Sequence, residues 1–261
     1  MSQSDNASNA LFSTPVVLDL PWQGRHLPEQ SYGESGQVFD IHYPTSEQAR
    51  LPVVILVTGY SDTGYLKVTG MRIKDTAQTR SWARLLAASG IAAITYASLD
   101  PVQDVMKLHR FLTSRSAELG LDMTRLGILS LSGNVPNALH FLGEVETVRC
   151  AALCYGFMRD GADDPGVSEA SSQFRFAMPA DSKPVPAGSA LLLVRAGQDQ
   201  FAALNRSIDR EVADALANNR ELEFINYAAG VHAFDILDDS PRSRQIVRRI
   251  LGYFSERLAE V

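Results

Sequence analysis

Residues 126–136 read LGILSLSGNVP: an apolar run, Leu126–Leu131, then Ser132-Gly133-Asn134, then Pro136. The run is strand-sized and nearly continuous, as expected when helices cover both faces of a sheet. Pro136 suits the first turn of a helix, where its missing N–H costs nothing. A serine between such a strand and such a helix stands on a tight turn, with its hydroxyl lifted clear of the sheet. Residues two before and two after it must be accommodating, because strand and helix backbones pass close there. Ser130 is small, and Asn134 tolerates unusual backbone angles better than most residues. Gly133 gives the turn freedom and offers an N–H. Taken alone the pattern is weak, since serine is also a common helix N-cap.

Outward from this stretch the chain alternates. Strand-sized apolar runs are expected at Val16–Leu20, Val38–Tyr43, Val53–Thr58, Ile91–Tyr96, Leu126–Leu131, Cys150–Tyr155, Leu191–Ala196 and Leu222–Tyr227. Apolar spacing of period 3.6 predicts helices over Thr76–Ser89, Val102–Glu118, Pro136–Glu144, Phe201–Asn218 and Arg242–Glu260. Asp100-Pro101 and Ser240-Pro241 read as helix starts. Two strands followed by strand–helix alternation indicate an α/β domain, a mainly parallel sheet of about eight strands with helices on both faces. The chain reads as one domain over 1–261, with a mobile polar tail at 1–12. Residues 156–188 break the rhythm: rich in Gly, Asp, Ser and Pro, they are expected to form a lid or substrate loop, lined by Phe157, Met158, Phe174, Phe176 and Met178.

Composition narrows the class. The 261 residues are 45% hydrophobic and 21% charged, ordinary for a globular chain, with a net charge of −6. An acidic surface argues against nucleic acid or an anionic membrane as partner, since both are bound through basic patches. No apolar run approaches the roughly 20 residues a spanning helix needs, and the start shows no secretory signal. Cys150 and Cys154 fall on one expected strand, about 13 Å apart and too far for a disulfide. They read as buried thiols of a reducing, cytoplasmic compartment. A monomer or homodimer is expected, and neither metal nor cofactor is called for. The Asp163-Asp164 pair reads as solvated. A dinucleotide site is excluded, because Gly59–Gly64 has the wrong glycine spacing.

Ligands of open parallel sheets bind at the C-terminal ends of the strands. Those ends carry Gly59-Tyr60, Ser132-Gly133-Asn134, Gly197-Gln198-Asp199 and Gly230-Val231-His232. Serine, carboxylate and histidine thus follow one another in chain order, with Asp199 and His232 33 residues apart. Asp160, Asp163 and Asp164 are rivals for the acid. His26, His42, His109 and His140 follow no strand end and compete poorly for the base.

That order on those strand ends resembles the α/β-hydrolase superfamily from about Val38 to Val261. Within it the chain looks like the small serine esterases and dienelactone-hydrolase-like members, and Gly59-Tyr60 is similar to the Gly-aromatic oxyanion loop of cutinase-like enzymes. The resemblance implies an α/β-hydrolase fold and a serine hydrolase cleaving a carboxylic ester or related acyl bond of a small-molecule acyl substrate. Ser132 would be the nucleophile, His232 the base and Asp199 its orienting acid. The N–H groups of Tyr60 and Gly133 would form the oxyanion hole, and Leu131, Asn134, Phe157 and Met158 would touch substrate. A thioesterase, lactonase or peptidase of the same fold uses the same groups. A non-catalytic binding protein with a degenerate elbow is the reading from another class.

Overall fold

The computed structural model describes residues 13–33, 36–158, 165–179 and 182–260. Among them, eight strands form one sheet: β1 (His26–Ser31), β2 (Val38–His42), β3 (Leu51–Leu56), β4 (Ala92–Tyr96), β5 (Leu121–Leu131), β6 (Val148–Cys154), β7 (Ala190–Ala196) and β8 (Leu222–Tyr227). The strand order is β1-β2-β4-β3-β5-β6-β7-β8. β2 runs antiparallel to both neighbours, and every pairing from β4 to β8 is parallel. The helices are α1 (Asp62–Thr69), α2 (Ala77–Ala88), α3 (Pro101–Ser114), α4 (Ser116–Leu119), α5 (Val135–Glu144), α6 (Pro165–Phe174), α7 (Ala202–Ala217), α8 (Phe234–Leu237) and α9 (Pro241–Arg257).

Each central strand sends alternate side chains into two cores. Leu191 and Leu193 join Leu204 and Ile208 of α7 on one face, while Leu192 and Val194 join Ile250 and Phe254 of α9 on the other. This is why the middle strands are continuous apolar runs rather than alternating ones. Helix starts follow the expected chemistry. The Asp100 side chain accepts from Gln103 N ahead of α3, and that of Ser240 accepts from Ser243 N ahead of α9. Cys150 and Cys154 are free and buried. Burial pushes the Cys150 thiol up to about 12, which keeps it in its unreactive protonated form.

The structure departs from the expected elements, or adds to them, at four places. Val16–Leu20 is not a strand: Val16 and Leu18 are buried, but Val16 N donates to Ser81 Oγ and Val17 N to Asp235 O, so the segment lies over helices. The first strand is instead the polar His26–Ser31, an edge strand with Pro28, whose pairing with β2 shifts register between Leu27 and Gln30. Helix α1 carries Gly64 and lacks a side-chain cap at Ser61, so nothing local announced it. Segment 156–188 holds helix α6, with Val167 and Ala170 buried. The helix expected over Val102–Glu118 is two, α3 and α4, divided at Arg115. The tail 1–12 lies outside the described residues.

At the β1–β2 edge three carboxylates, Glu29, Asp40 and Asp75, converge with ligand atoms within 4.8 Å of one another. Their centre is occupied by the buried Lys74 ammonium, 2.6 Å from Glu29, 2.8 Å from Asp40 and 3.2 Å from Asp75. The cluster is an internal ion network rather than an open cation site.

Gly127 is where β5 meets α9: a Cβ there would lie 3.1 Å from the Phe254 ring and 3.3 Å from Cys150 Sγ. Gly127→Val overpacks this contact and is expected to destabilise the fold by about 1–3 kcal/mol. A lower urea midpoint at unchanged slope would show it.

Candidate active site

At the end of β5 the backbone turns sharply. Ser132 has φ of 56°, in the left-handed region, where a residue with a side chain is strained by about 1–3 kcal/mol. A single 3-10 turn, Ser132–Asn134, leads directly into α5 with Pro136 in its first turn. The Ser132 hydroxyl caps neither helix; its Oγ lies 2.8 Å from His232 Nε2.

Asn134 explains how the turn is tolerated without glycine two residues after the serine. Its Nδ2 donates to Leu131 O at 2.8 Å, and its Oδ1 accepts from Gly59 N at 2.8 Å and from Thr58 Oγ1 at 3.3 Å. One amide thus ties the end of β5 to the loop after β3. Gly59 makes the approach possible, since a Cβ there would lie 2.6 Å from Gly133 O and 2.9 Å from Asn134 Cα. Asn137, fully buried, donates to Thr58 O at 2.7 Å and to Pro101 O at 2.9 Å.

His232 and Asp199 arrive on adjacent strand ends, after β8 and β7. Gln198 N donates to Gly230 O at 2.8 Å, stitching the two loops together. Asp199 Oδ2 lies 2.6 Å from His232 Nδ1, and Oδ1 accepts from Phe201 N at 2.9 Å. The Asp199 carboxylate is fully buried, while the His232 ring is 23% exposed. With a carboxylate as its partner, Nδ1 carries the proton and Nε2 presents a lone pair to Ser132. The rival acids Asp160, Asp163 and Asp164 lie outside the described residues.

A second buried carboxylate stands behind the imidazole, and sequence reasoning missed it. The Tyr155 ring packs edge-on against His232, with centroids 5.2 Å apart, and its hydroxyl donates to Asp235 Oδ1 at 2.6 Å. Asp235 Oδ2 accepts from Trp82 Nε1 at 2.8 Å and Gln78 Nε2 at 2.9 Å. Burial raises the Asp235 carboxyl above the usual range despite these donors. The four residues span positions 78 to 235, so no local spacing could have announced the cluster.

The remaining expected site residues are placed as follows. The Tyr60 ring lies over Gly133 and beside Phe176 and Tyr65, at centroid distances of 6.2 and 6.0 Å. Its backbone N donates to Thr58 Oγ1 at 3.2 Å. Phe157 is buried and stacked on Phe176 at 5.4 Å, so Phe176 forms the wall and Phe157 supports it. Met158 is buried within the core, with its N–H on Ser207 Oγ. Leu131 is half-buried. Asn134 is spent on the clamp. Two contacts tie residues 165–179 to this region: Ala177 N donates to Gly59 O at 2.7 Å, and Phe174 meets Phe201, which in turn meets the edge of His232.

No protein-family model and no curated protein matches the chain by sequence. Solved structures match its fold. A bacterial heroin esterase aligns with TM-score 0.70 at 14% identity, covering 98% of this chain and 90% of that one. A thermophilic and thermostable carboxylesterase cloned from a metagenomic library aligns with TM-score 0.70 at 16% identity, over 99% and 96%. An α/β-hydrolase enzyme from a Medee basin deep-sea metagenome library aligns with TM-score 0.68 at 15% identity, over 91% and 99%. The chain therefore has the α/β-hydrolase fold; these likenesses give no support to the dienelactone-hydrolase-like expectation. Among the described residues, no helix is long and apolar enough to cross a membrane.

Asn134→Ala would leave the N–H of the buried Gly59 and the carbonyl of the half-buried Leu131 without the Asn134 partner. A loss of about 1–3 kcal/mol is expected, read as a lower midpoint in thermal or urea unfolding.

Proposed function

We propose that this α/β-hydrolase-fold protein is a serine hydrolase that cleaves a carboxylic ester through an acyl-enzyme. One observation carries the reading: the unbroken chain from Ser132 Oγ to His232 Nε2 at 2.8 Å, and from His232 Nδ1 to the buried Asp199 at 2.6 Å, built on a serine held in the left-handed region. A serine hydroxyl is a poor nucleophile until a base takes its proton, and this geometry provides the base and the acid that orients it.

In the first step Ser132 Oγ bonds to the acyl carbon while its proton passes to His232 Nε2. Asp199 stabilises the imidazolium and holds its tautomer. The tetrahedral oxyanion faces the Gly133 N–H and Tyr60. Collapse breaks the bond to the alcohol, which leaves with the proton from Nε2. Water, deprotonated by the same nitrogen, then releases the acid. Tyr155 and Asp235 fix the rear of the imidazole, so the ring turns little during these transfers.

The surroundings suggest a substrate class. Tyr60 and Phe176 press on Gly133 from the acyl side, which favours a short acyl group. Phe174 and Val231 are each about 40% exposed beside Phe201 and His232, an apolar rim suited to a nonpolar alcohol portion.

A panel of p-nitrophenyl esters, with thioester and lactone controls, tests the reading. The highest kcat/KM is expected for acetyl and butyryl esters, falling as the chain lengthens. Ser132→Ala should lower kcat by roughly 10⁶ and abolish labelling by a fluorophosphonate while the protein stays folded. Wild-type protein that neither turns over nor labels would refute the assignment. Asp199→Asn should lower kcat by about 10⁴, because the amide favours the wrong tautomer.

A further inference from the structure

The loop after β3 has already used its backbone donors. Thr58 N donates to Tyr96 Oη at 3.2 Å, Gly59 N to Asn134 Oδ1 at 2.8 Å and Tyr60 N to Thr58 Oγ1 at 3.2 Å. The Tyr60 bond is locked from the far side, because Thr58 Oγ1 in turn donates to Asn134 Oδ1 at 3.3 Å. An oxyanion at Ser132 therefore meets a loop whose N–H groups point into the protein.

The Tyr60 side chain points the other way. Its Oη occupies the place a Cβ on Gly133 would need, which puts the phenol on the residue whose N–H follows the nucleophile. Phe176 Cδ1 lies 2.9 Å from the same point and holds the ring there. Among the described residues no hydrogen-bond partner is paired with Tyr60 Oη, so the O–H is free to donate toward the reaction centre. Gly133 is required by this arrangement, since any side chain would displace the phenol.

We propose that the Tyr60 hydroxyl, rather than its backbone N–H, is the second oxyanion donor beside Gly133 N–H. The inference rests on Ser132 being the nucleophile. As Oγ bonds to the acyl carbon, the carbonyl π pair moves onto oxygen, which accepts one hydrogen bond from Gly133 N and one from Tyr60 Oη. The phenol keeps its proton throughout and returns to its free state when the carbonyl re-forms. Burial holds that proton firmly, with the Tyr60 hydroxyl pushed up to about 12, so it remains a donor across the working range. A donor that strengthens only as charge develops raises kcat rather than lowering KM.

Tyr60→Phe removes one oxygen and keeps the ring. It is expected to lower kcat for p-nitrophenyl acetate by about 10²–10³ with little change in KM, and to weaken the tetrahedral adduct with phenylboronic acid by a comparable factor. If that variant unfolds, 3,5-difluorotyrosine at position 60 replaces it. The more acidic phenol should then add an alkaline loss to the kcat profile that wild type lacks over the same pH range. Ser132-dependent turnover that survives Tyr60→Phe within about threefold, or a fluorotyrosine profile superimposable on wild type, would overturn the phenol while leaving the hydrolase standing. Absence of any Ser132-dependent turnover or labelling in wild type would overturn both.

Discussion

The structure turns on one backbone angle. Ser132 sits at a positive φ that an unconstrained chain would leave, and the parts around it act to keep it there. β3 and β6 pair in parallel with β5 on either side. The Asn134 amide grips the end of the strand and the neighbouring loop at once, and Asn137 fixes that loop's carbonyl from below. Strain of this kind persists only where its surroundings over-determine it. Here they do so through directional polar bonds, which hold position better than apolar contact alone.

The same economy governs the acids. Asp199 is buried yet has two donors, His232 and Phe201 N, so its charge is compensated where it is used. Asp235 is buried as well and takes three side-chain donors. It never meets the hydroxyl at the strand end; it steadies the tyrosine against which His232 rests. Lys74 does the equivalent at the far edge, drawing three carboxylates onto one ammonium. Each of these three carboxylate groupings is supplied with donors or a counter-ion, as desolvation requires.

How far the sequence could be read follows from where information is local. The strands β3 to β7 and helices α2, α3, α5, α7 and α9 were legible because burial on both sheet faces forces continuous apolar runs, and burial of one helix face forces a 3.6 period; β8, at the edge, was legible from Leu222, Phe224, Ile225 and Tyr227. Ser132, Asp199 and His232 were legible as candidates because each immediately follows such a run, and the structure brings their side chains together. β1 was not, because an edge strand held by pairing with β2 has no need of apolar residues. Helix α6 announces itself only through Val167, Ala170 and Phe174 amid small polar residues. The Asn134 bond to Gly59 spans 75 positions, and the bonds of Tyr155 and Gln78 to Asp235 span 80 and 157, distances over which composition and period carry no signal.

Those separations have a consequence in time. Gln78 waits for Asp235, and Ser132 waits for a histidine 100 residues later. Parallel pairing of distant segments is slow to form because loop closure precedes its reward. A chain emerging from synthesis can therefore assemble β2, β3 and β4 and still possess no working site. The elbow's strain has nothing to hold it until β6 docks, and the imidazole arrives only after β8. The complete Ser132–His232–Asp199 chain should thus be the last feature this protein acquires as it matures, and the first it surrenders when its C-terminal third loosens.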